Sequence, residues 1–170
     1  MITDKSFETE RLILKQTSEE DAEFIFQLLN TPKWLKYIGD RNVKTIEYSK
    51  EYIRNKITPQ FKRLGYGCYT VIRKSDNAKI GTCGLYDRDG LEGIDIGYAF
   101  LPDYEGKGYA FESASKLKNV AFKVFGLKTI YAITAQNNNP SQNLLLKLGL
   151  EFDKKVILPN GNEELLLYKT

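Results

Sequence analysis

The stretch Tyr104-Glu105-Gly106-Lys107-Gly108-Tyr109-Ala110-Phe111-Glu112 joins an apolar, strand-like run to a long amphipathic pattern. Two glycines separated by one residue let the backbone turn sharply and come close to a bulky anion. A helix that starts there has four N–H groups without intrahelical partners, and its dipole adds roughly half a positive charge at that end. The expected ligand is therefore a phosphate or pyrophosphate, held mainly by main chain over Gly106, Lys107, Gly108, Tyr109 and Ala110, with the Lys107 ammonium as an added point charge. The competing reading of the same glycines is a tight strand-to-helix connection with no ligand. Two nucleotide motifs do not fit: the dinucleotide fingerprint needs a third glycine where Phe111 stands, and the P-loop needs Ser or Thr directly after Lys107.

Working outward, the segment after the loop repeats Ala110, Ala114, Leu117, Ala121 and Val124 at helical spacing, up to Gly126. Lys128 to Thr134 reads as a strand. Because a helix separates it from the strand Ile94 to Leu101, the two are expected to be parallel neighbours. Upstream of the loop, Tyr66 to Ile72 and Lys79 to Tyr86 form a hairpin about Ser75-Asp76-Asn77, and Asp89-Gly90 marks a second turn before Ile94. Glu10 to Gln16 is a first strand, followed by an acidic helix start at Thr17 to Asp21 and a stripe of Ala22, Ile25, Phe26 and Leu29. Trp34 to Tyr37 is a short turn or helix. Thr45 caps a second long helix bearing Ile46, Ile53 and Ile57, expected to end before Pro59. Pro140 opens a last helix with Leu144, Leu145 and Leu148, and Asp153 to Leu158 pairs with Glu164 to Tyr168. The order β-α-α-β-β-β-α-β-α-β-β predicts an α/β (α+β) fold: a mixed, mostly antiparallel sheet of about seven strands flanked by helices, as one domain over 1–170.

Composition bounds the chemistry. A chain of 170 residues is long enough to bury roughly 70% of its unfolded surface without a staple. Basic residues number 25 against 22 acidic ones and are scattered, so neither nucleic acid nor a membrane surface is an expected partner. No apolar run is long enough to span a bilayer, and the polar start Met1-Ile2-Thr3-Asp4-Lys5 does not read as a signal peptide, so a cytoplasmic protein is expected, as monomer or homodimer. Cys68 and Cys83 lack metal or disulfide spacing and read as small buried hydrophobes, and no metal is expected. Histidine is absent, which excludes Ser-His and Cys-His nucleophiles.

The loop and the order of elements together resemble the GNAT superfamily of N-acetyltransferases, whose loop reads Arg/Gln-x-x-Gly-x-Gly/Ala. Gly108 and Ala110 match, while Glu105 stands where Arg or Gln is usual. Asn138-Asn139-Pro140-Ser141, with Leu148-Gly149-Leu150 after it, resembles the family's Asn-x-x-Ser segment and the end of its following helix. Glu8 to Leu14, Ile80 to Leu85 and Asp95-Ile96-Gly97-Tyr98 look like the branch containing the ribosomal-protein N-terminal acetyltransferases. The resemblance implies acetyl-CoA as co-substrate, main-chain contacts from the glycine loop, pantetheine or thioester contacts from Asn138, Ser141, Phe100 and Leu101, and free N–H groups at Ala99 and Phe100 for the carbonyl oxygen.

Amide formation from a thioester needs a neutral amine, a stabilised oxyanion and a proton for the thiolate. Asp95, in the strand leading to the loop, is the candidate base, with Glu92 as a second; the plain alternative for Asp95 is a solvent-facing strand residue. Many relatives place a tyrosine in the helix after the Asn segment; here that helix has none, so Ser141 is the nearest hydroxyl, its ordinary role being a helix cap. Tyr98 is a candidate to line the amine site. Trp34, Tyr37, Tyr48 and Tyr52 are candidates for the acceptor pocket, with core packing as the alternative for each. The expected reaction is direct transfer in a ternary complex to a primary amine such as a protein N-terminus. A small amine (polyamine or aminoglycoside) is a second acceptor class, for which Asp40, Glu47 and Glu51 would form an acidic pocket. A CoA-binding module without catalysis is the third reading.

Overall fold

The computed structural model describes residues 6–170. Its strands are β1 (Phe7–Glu8), β2 (Leu12–Gln16), β3 (Cys68–Arg73), β4 (Ala78–Asp87), β5 (Ile94–Phe100), β6 (Tyr131–Ala135), β7 (Glu151–Val156) and β8 (Leu165–Lys169). They form one sheet of order β1-β2-β3-β4-β5-β6-β8-β7. Every neighbouring pair is antiparallel except β5 and β6. The mixed, mostly antiparallel sheet read from the sequence is present, with eight strands rather than seven. The extra one, β1, pairs Phe7 with Leu14 and Glu8 with Ile13. Two residues are too few to show an alternating pattern.

The helices are α1 (Ala22–Leu29), α2 (Pro32–Tyr37), α3 (Ile46–Tyr52), α4 (Thr58–Leu64), α5 (Tyr109–Lys123) and α6 (Asn139–Lys147). Thr31 caps α2 and Thr45 caps α3, each accepting from the N–H three residues on. The second helix does not stop before Pro59. A π-turn over Ile53–Ile57 carries it into α4, which ends at Gly65 with φ 82°. Proline in a regular α-helix clashes with the carbonyl four residues back; the wider π register and the place of Pro59 at the start of α4 avoid that clash. Of the stripe expected on this helix, Ile53 is buried and Ile46 is exposed.

Two apolar clusters cover the two faces of the sheet. On one, Ala114, Leu117 and Ala121 of α5 and Leu145 of α6 pack with Leu14, Val71, Ile80, Cys83 and Ile96. On the other, α1 contributes Phe24, Ile25, Leu28 and Leu29 around Ile53, with Trp34, Tyr52, Ala99 and Leu101 at its border. Alternation along β5 explains the division: Ile94 and Ile96 point to the α5 face, Asp95 and Ala99 to the α1–α3 face. Cys68 and Cys83 are buried free thiols.

The strand pair β5/β6 positions the site. It is parallel and has a single register pair, Asp95 with Tyr131, beyond which the two strands diverge. On its other edge, β5 stays paired with β4 through Phe100 opposite Gly81. The Leu101 N–H donates to the Ile80 carbonyl at 2.9 Å. Antiparallel pairing alternates by two, so the Ala99 N–H also faces β4, while the N–H groups of Tyr98 and Phe100 face the gap. The expected pair of free donors is thereby corrected from Ala99 and Phe100 to Tyr98 and Phe100.

Candidate active site

The gap between β5 and β6 opens into a cleft of about 1210 Å³ that runs from the glycine loop to the α2–α3 region. Its first half is lined by Phe100, Gly106, Gly108, Tyr109 and Ala110 on one side and by Asn138, Ser141 and Leu144 on the other. Its second half is lined by Trp34, Tyr37, Tyr52, Tyr86, Arg88 and Asp95, among others.

Gly106 and Gly108 both adopt left-handed backbone, φ 73° and 82°. Side-chain-bearing residues rarely do so. No atom lies within 4 Å of where a Cβ on Gly106 would stand, so the approach to the loop is open. The N–H groups of Gly106, Lys107 and Gly108 donate to no acceptor among the described residues. Those of Tyr109, Ala110 and Phe111 begin α5 and have no intrahelical acceptor. Six consecutive free donors at a helix start suit a pyrophosphate. Glu105, beside these donors, forms an ion pair with Lys33 of α2 across the cleft mouth, which offsets part of its charge. Lys107 lies outside the cleft lining, and its carbonyl accepts from Arg11 Nη1 at 3.1 Å.

Midway along the cleft two hydroxyls meet. Tyr98 Oη lies 3.3 Å from Ser141 Oγ and 3.4 Å from the Ser141 carbonyl. Burial pushes the Tyr98 hydroxyl up to about 12, with Ser141 pulling against it. The Asn138 side chain caps α6 by accepting from the Ser141 N–H at 3.3 Å, which holds that backbone in place. α6 has no tyrosine, and the phenol beside its Ser141 comes from Tyr98 of β5.

Asp95 is 1% exposed, so the solvent-facing reading is overturned. Both of its carboxylate oxygens accept from Arg88 Nε, at 2.9 and 3.1 Å. Burial pushes its pKa up to about 6, with the Arg88 guanidinium opposing the rise. Gly97 leaves the room this arrangement needs: a Cβ there would stand 3.1 Å from the Tyr86 ring and 4.0 Å from Arg88 Nη2. Arg88 went unread in the sequence. The available signal was a charge of opposite sign on each side of the Asp89-Gly90 turn, at Arg88 and Asp95, where a hairpin brings neighbouring strands together.

Several expected contributors stand elsewhere. Tyr48 is 56% exposed and outside the cleft, because its place on α3 turns away from the sheet. Leu101 packs against the α1 cluster rather than lining the cleft. Glu92 lies outside the cleft lining. The acidic pocket imagined from Asp40, Glu47 and Glu51 is absent: none lines the cleft, and Asp40 and Glu47 pair with Lys44 and Lys50 at the surface. Among the described residues, no helix is long and apolar enough to cross a membrane.

The comparisons agree with this geometry. Residues 11–151 match the family model for the acetyltransferase (GNAT) domain. The chain is 32% identical over 152 residues to YoaA, an uncharacterized N-acetyltransferase of Bacillus subtilis, covering 89% of this chain and 84% of that protein. Two solved structures share the fold. The ribosomal-protein-S5-alanine acetyltransferase of Vibrio fischeri has a TM-score of 0.81 at 20% identity, covering 98% of this chain and 96% of its own. RimL, the ribosomal L7/L12 alpha-N-protein acetyltransferase solved with coenzyme A, has a TM-score of 0.83 at 15% identity, covering 98% and 97%. A sheet parted at β5/β6 beside a glycine loop with free donors, and a family match over most of the chain, lead to one assignment: this chain belongs to the GNAT family and is an acetyl-CoA-dependent N-acetyltransferase.

Proposed function

We propose that the protein moves the acetyl group directly from acetyl-CoA to a primary amine in a ternary complex, and that the acceptor is an α-amine such as a peptide or protein N-terminus. The observation that carries this reading is the continuity of the cleft, from the six free N–H groups of the loop, past the Tyr98–Ser141 pair, to Trp34, Tyr37 and Tyr52. In this reading the loop donors bind pyrophosphate, while Asn138 and Phe100 border the pantetheine arm. The free N–H groups of Tyr98 and Phe100 receive the oxyanion as the amine nitrogen bonds to the carbonyl carbon. The C–S bond then breaks, nitrogen gives up a proton, and the thiolate takes one.

Direct transfer is favoured because, among the described residues, no activated nucleophile lines the cleft. Cys68 is buried, and burial raises its thiol pKa, which keeps it protonated. Tyr98 acts on the leaving group as a hydrogen-bond donor rather than as the final proton source. Moving a proton from a hydroxyl at about 12 to a thiolate at about 8.5 is uphill by about 5 kcal/mol. An α-amine, with a pKa of about 8, is roughly one-tenth neutral at pH 7, whereas an alkyl amine near 10 is neutral about once in a thousand molecules. With Asp95 held by Arg88, the α-amine places the lighter demand on a base. The names of the two ribosomal-protein acetyltransferases described above support the same acceptor class.

The test is calorimetric titration with acetyl-CoA, followed by free-thiol release against N-terminal peptides, polyamines and aminoglycosides. Binding with release on the peptides is expected. Release on polyamines or aminoglycosides alone would overturn the α-amine assignment, and binding without release on any acceptor would leave a CoA-binding module.

A further inference from the structure

The acceptor half of the cleft holds a half-buried arginine, Arg88, whose donors are only partly used. An arginine has five N–H donors in a planar fork. In Arg88, Asp95 takes the Nε–H with both of its oxygens, and the Nη1 and Nη2 groups make no hydrogen bond among the described residues. The side chain is held by the buried Asp95 and by the Tyr86 ring 5.1 Å from Cζ, in the room that Gly97 leaves. Four N–H groups therefore remain on a fixed guanidinium that lines an open cleft. Binding one edge of an arginine to a buried carboxylate and leaving the other free presents a planar fork for a second carboxylate.

A second guanidinium lines the same half. Arg41, on the loop after α2, makes no ion pair among the described residues. Tyr52 lies near both arginines: burial raises its hydroxyl pKa, and the charges of Arg41 and Arg88 both pull it back. Lys56 lines this region as well. Of the nearby acids, Asp95 is held by Arg88 and Asp87 by Arg63 at 2.9 Å, while Asp89 in the turn and Glu163 on the loop before β8 also line the cleft.

We propose that the acceptor carries a carboxylate on the same molecule as the reacting amine, bound by the free Nη groups of Arg88 with Arg41 as a second guanidinium in the same half of the cleft. Asp95 is then a positioning residue, acting through Arg88. The proposal rests on the acetyltransferase reading. The carboxylate belongs either to a free amino acid or to an acidic side chain early in a peptide, and matched acceptors separate the two sources.

Thiol release is measured with methionine against methionine amide, and with C-terminally amidated Ser-Asp-Ala-Ala against Ser-Asn-Ala-Ala. The expected result is a preference of about tenfold or more in kcat/KM for the carboxylate member of one pair, carried mainly by KM. Arg41→Gln is expected to shrink that ratio below about threefold. Because Arg88→Gln alone strands a buried carboxylate, it is combined with Asp95→Asn, and the same collapse of the ratio is expected. Equal use of both members in both pairs, or a preference unchanged by Arg41→Gln, overturns the proposal. Calorimetry of the same acceptors on CoA-saturated protein separates the two readings. Preferential carboxylate binding without thiol release keeps the anion site and removes the transferase reading. Release without preference does the reverse, and no binding of either carboxylate overturns the anion site.

Discussion

Arg11 and Glu112 tie the start of the sheet to the glycine loop. Arg11 Nε and Nη2 each lie 2.7 Å from Glu112 Oε2, and the Thr9 hydroxyl donates to Oε1 at 2.6 Å. Arg11 also donates to the Lys107 carbonyl and stacks 4.4 Å over the Tyr109 ring. One side chain therefore fixes the end of the loop and the first turn of α5. Arg11→Ala is expected to weaken acetyl-CoA binding about 3- to 10-fold with kcat at saturation little changed, as measured by calorimetry and steady-state kinetics. The pair also has a pH signature. Burial alone would raise the Glu112 pKa, but the bonds from Thr9 and Arg11 outweigh it and the net shift is downward. A lowered acid stabilises the fold above its unfolded value and loses that contribution as pH falls through the folded one. The stability gap between wild type and Glu112→Gln should therefore close on acidification below about pH 4.5.

Glu105 stands beside the proposed pyrophosphate site, and its ion pair with Lys33 would offset part of its repulsion of the phosphates. The two side chains are part-exposed, so the effect is small and screened by salt. Glu105→Gln should tighten acetyl-CoA binding about 2- to 5-fold at low ionic strength, and Lys33→Ala should weaken it by a similar factor. Raising salt should compress both differences. Titrations at two ionic strengths decide it; an affinity lost in Glu105→Gln would mean the carboxylate orders the loop more than it repels phosphate.

Which parts were legible in the sequence follows from how local their causes are. The glycine loop and α5 were readable because turn geometry, free N–H groups and a 3.6-residue stripe lie within twenty residues of chain. The run through Pro59 was not, since the π-turn that accommodates it is a backbone register with no side-chain signature. Asp95 was singled out from its place in β5, yet its partner depends on burial and on the register of β4 with β5, which a single sequence does not display. The Tyr98–Ser141 contact joins residues 43 apart in sequence and exists because β5 and α6 border the same gap. Tyr48 was misplaced because spacing on a helix gives a face without saying which face meets the sheet.

The Asp95 carboxyl carries a stability slope opposite in sign to that of Glu112. Its pKa is raised from 3.8 to about 6 by burial, with Arg88 opposing. A raised acid favours the folded state below the unfolded value, and that advantage is lost as pH rises through the folded one. Over this window wild type should lose on the order of 3 kcal/mol relative to Asp95→Asn. Denaturant titrations of both proteins at pH 4, 5, 6 and 7 read the difference; a gap independent of pH would show that Asp95 stays ionised throughout.

Gly81 keeps the β4–β5 edge closed beside the cleft. A Cβ there would stand 2.4 Å from Phe100 Cδ1 and 2.5 Å from the Ala99 carbonyl oxygen. The second contact is backbone and cannot rotate away. Gly81→Ala should cost about 1–3 kcal/mol, a fall in Tm of about 3–10 °C for a chain of this size. By displacing Phe100 it should also raise the KM for acetyl-CoA. Thermal denaturation with unchanged Tm would show that the strands slide apart freely.

Tyr98 and Ser141 offer the sharpest test of the chemistry, because each touches the other and both line the cleft. If the Tyr98 hydroxyl stabilises the departing thiolate, Tyr98→Phe removes an interaction made mainly in the transition state. The expected loss is about 10- to 100-fold in kcat, with the KM for acetyl-CoA within about threefold of wild type. Ser141→Ala should give a smaller loss, since it removes only the hydroxyl that orients Tyr98. The double variant should be no worse than about twofold below Tyr98→Phe, because groups acting as a unit are not additive. The effect should also shrink with an acetyl thioester whose thiol has a lower pKa, as a better leaving group needs less assistance. Independent, multiplying losses in the double variant would mean that the two hydroxyls serve separate steps, and an unchanged kcat in Tyr98→Phe would move the leaving-group role to Ser141 alone.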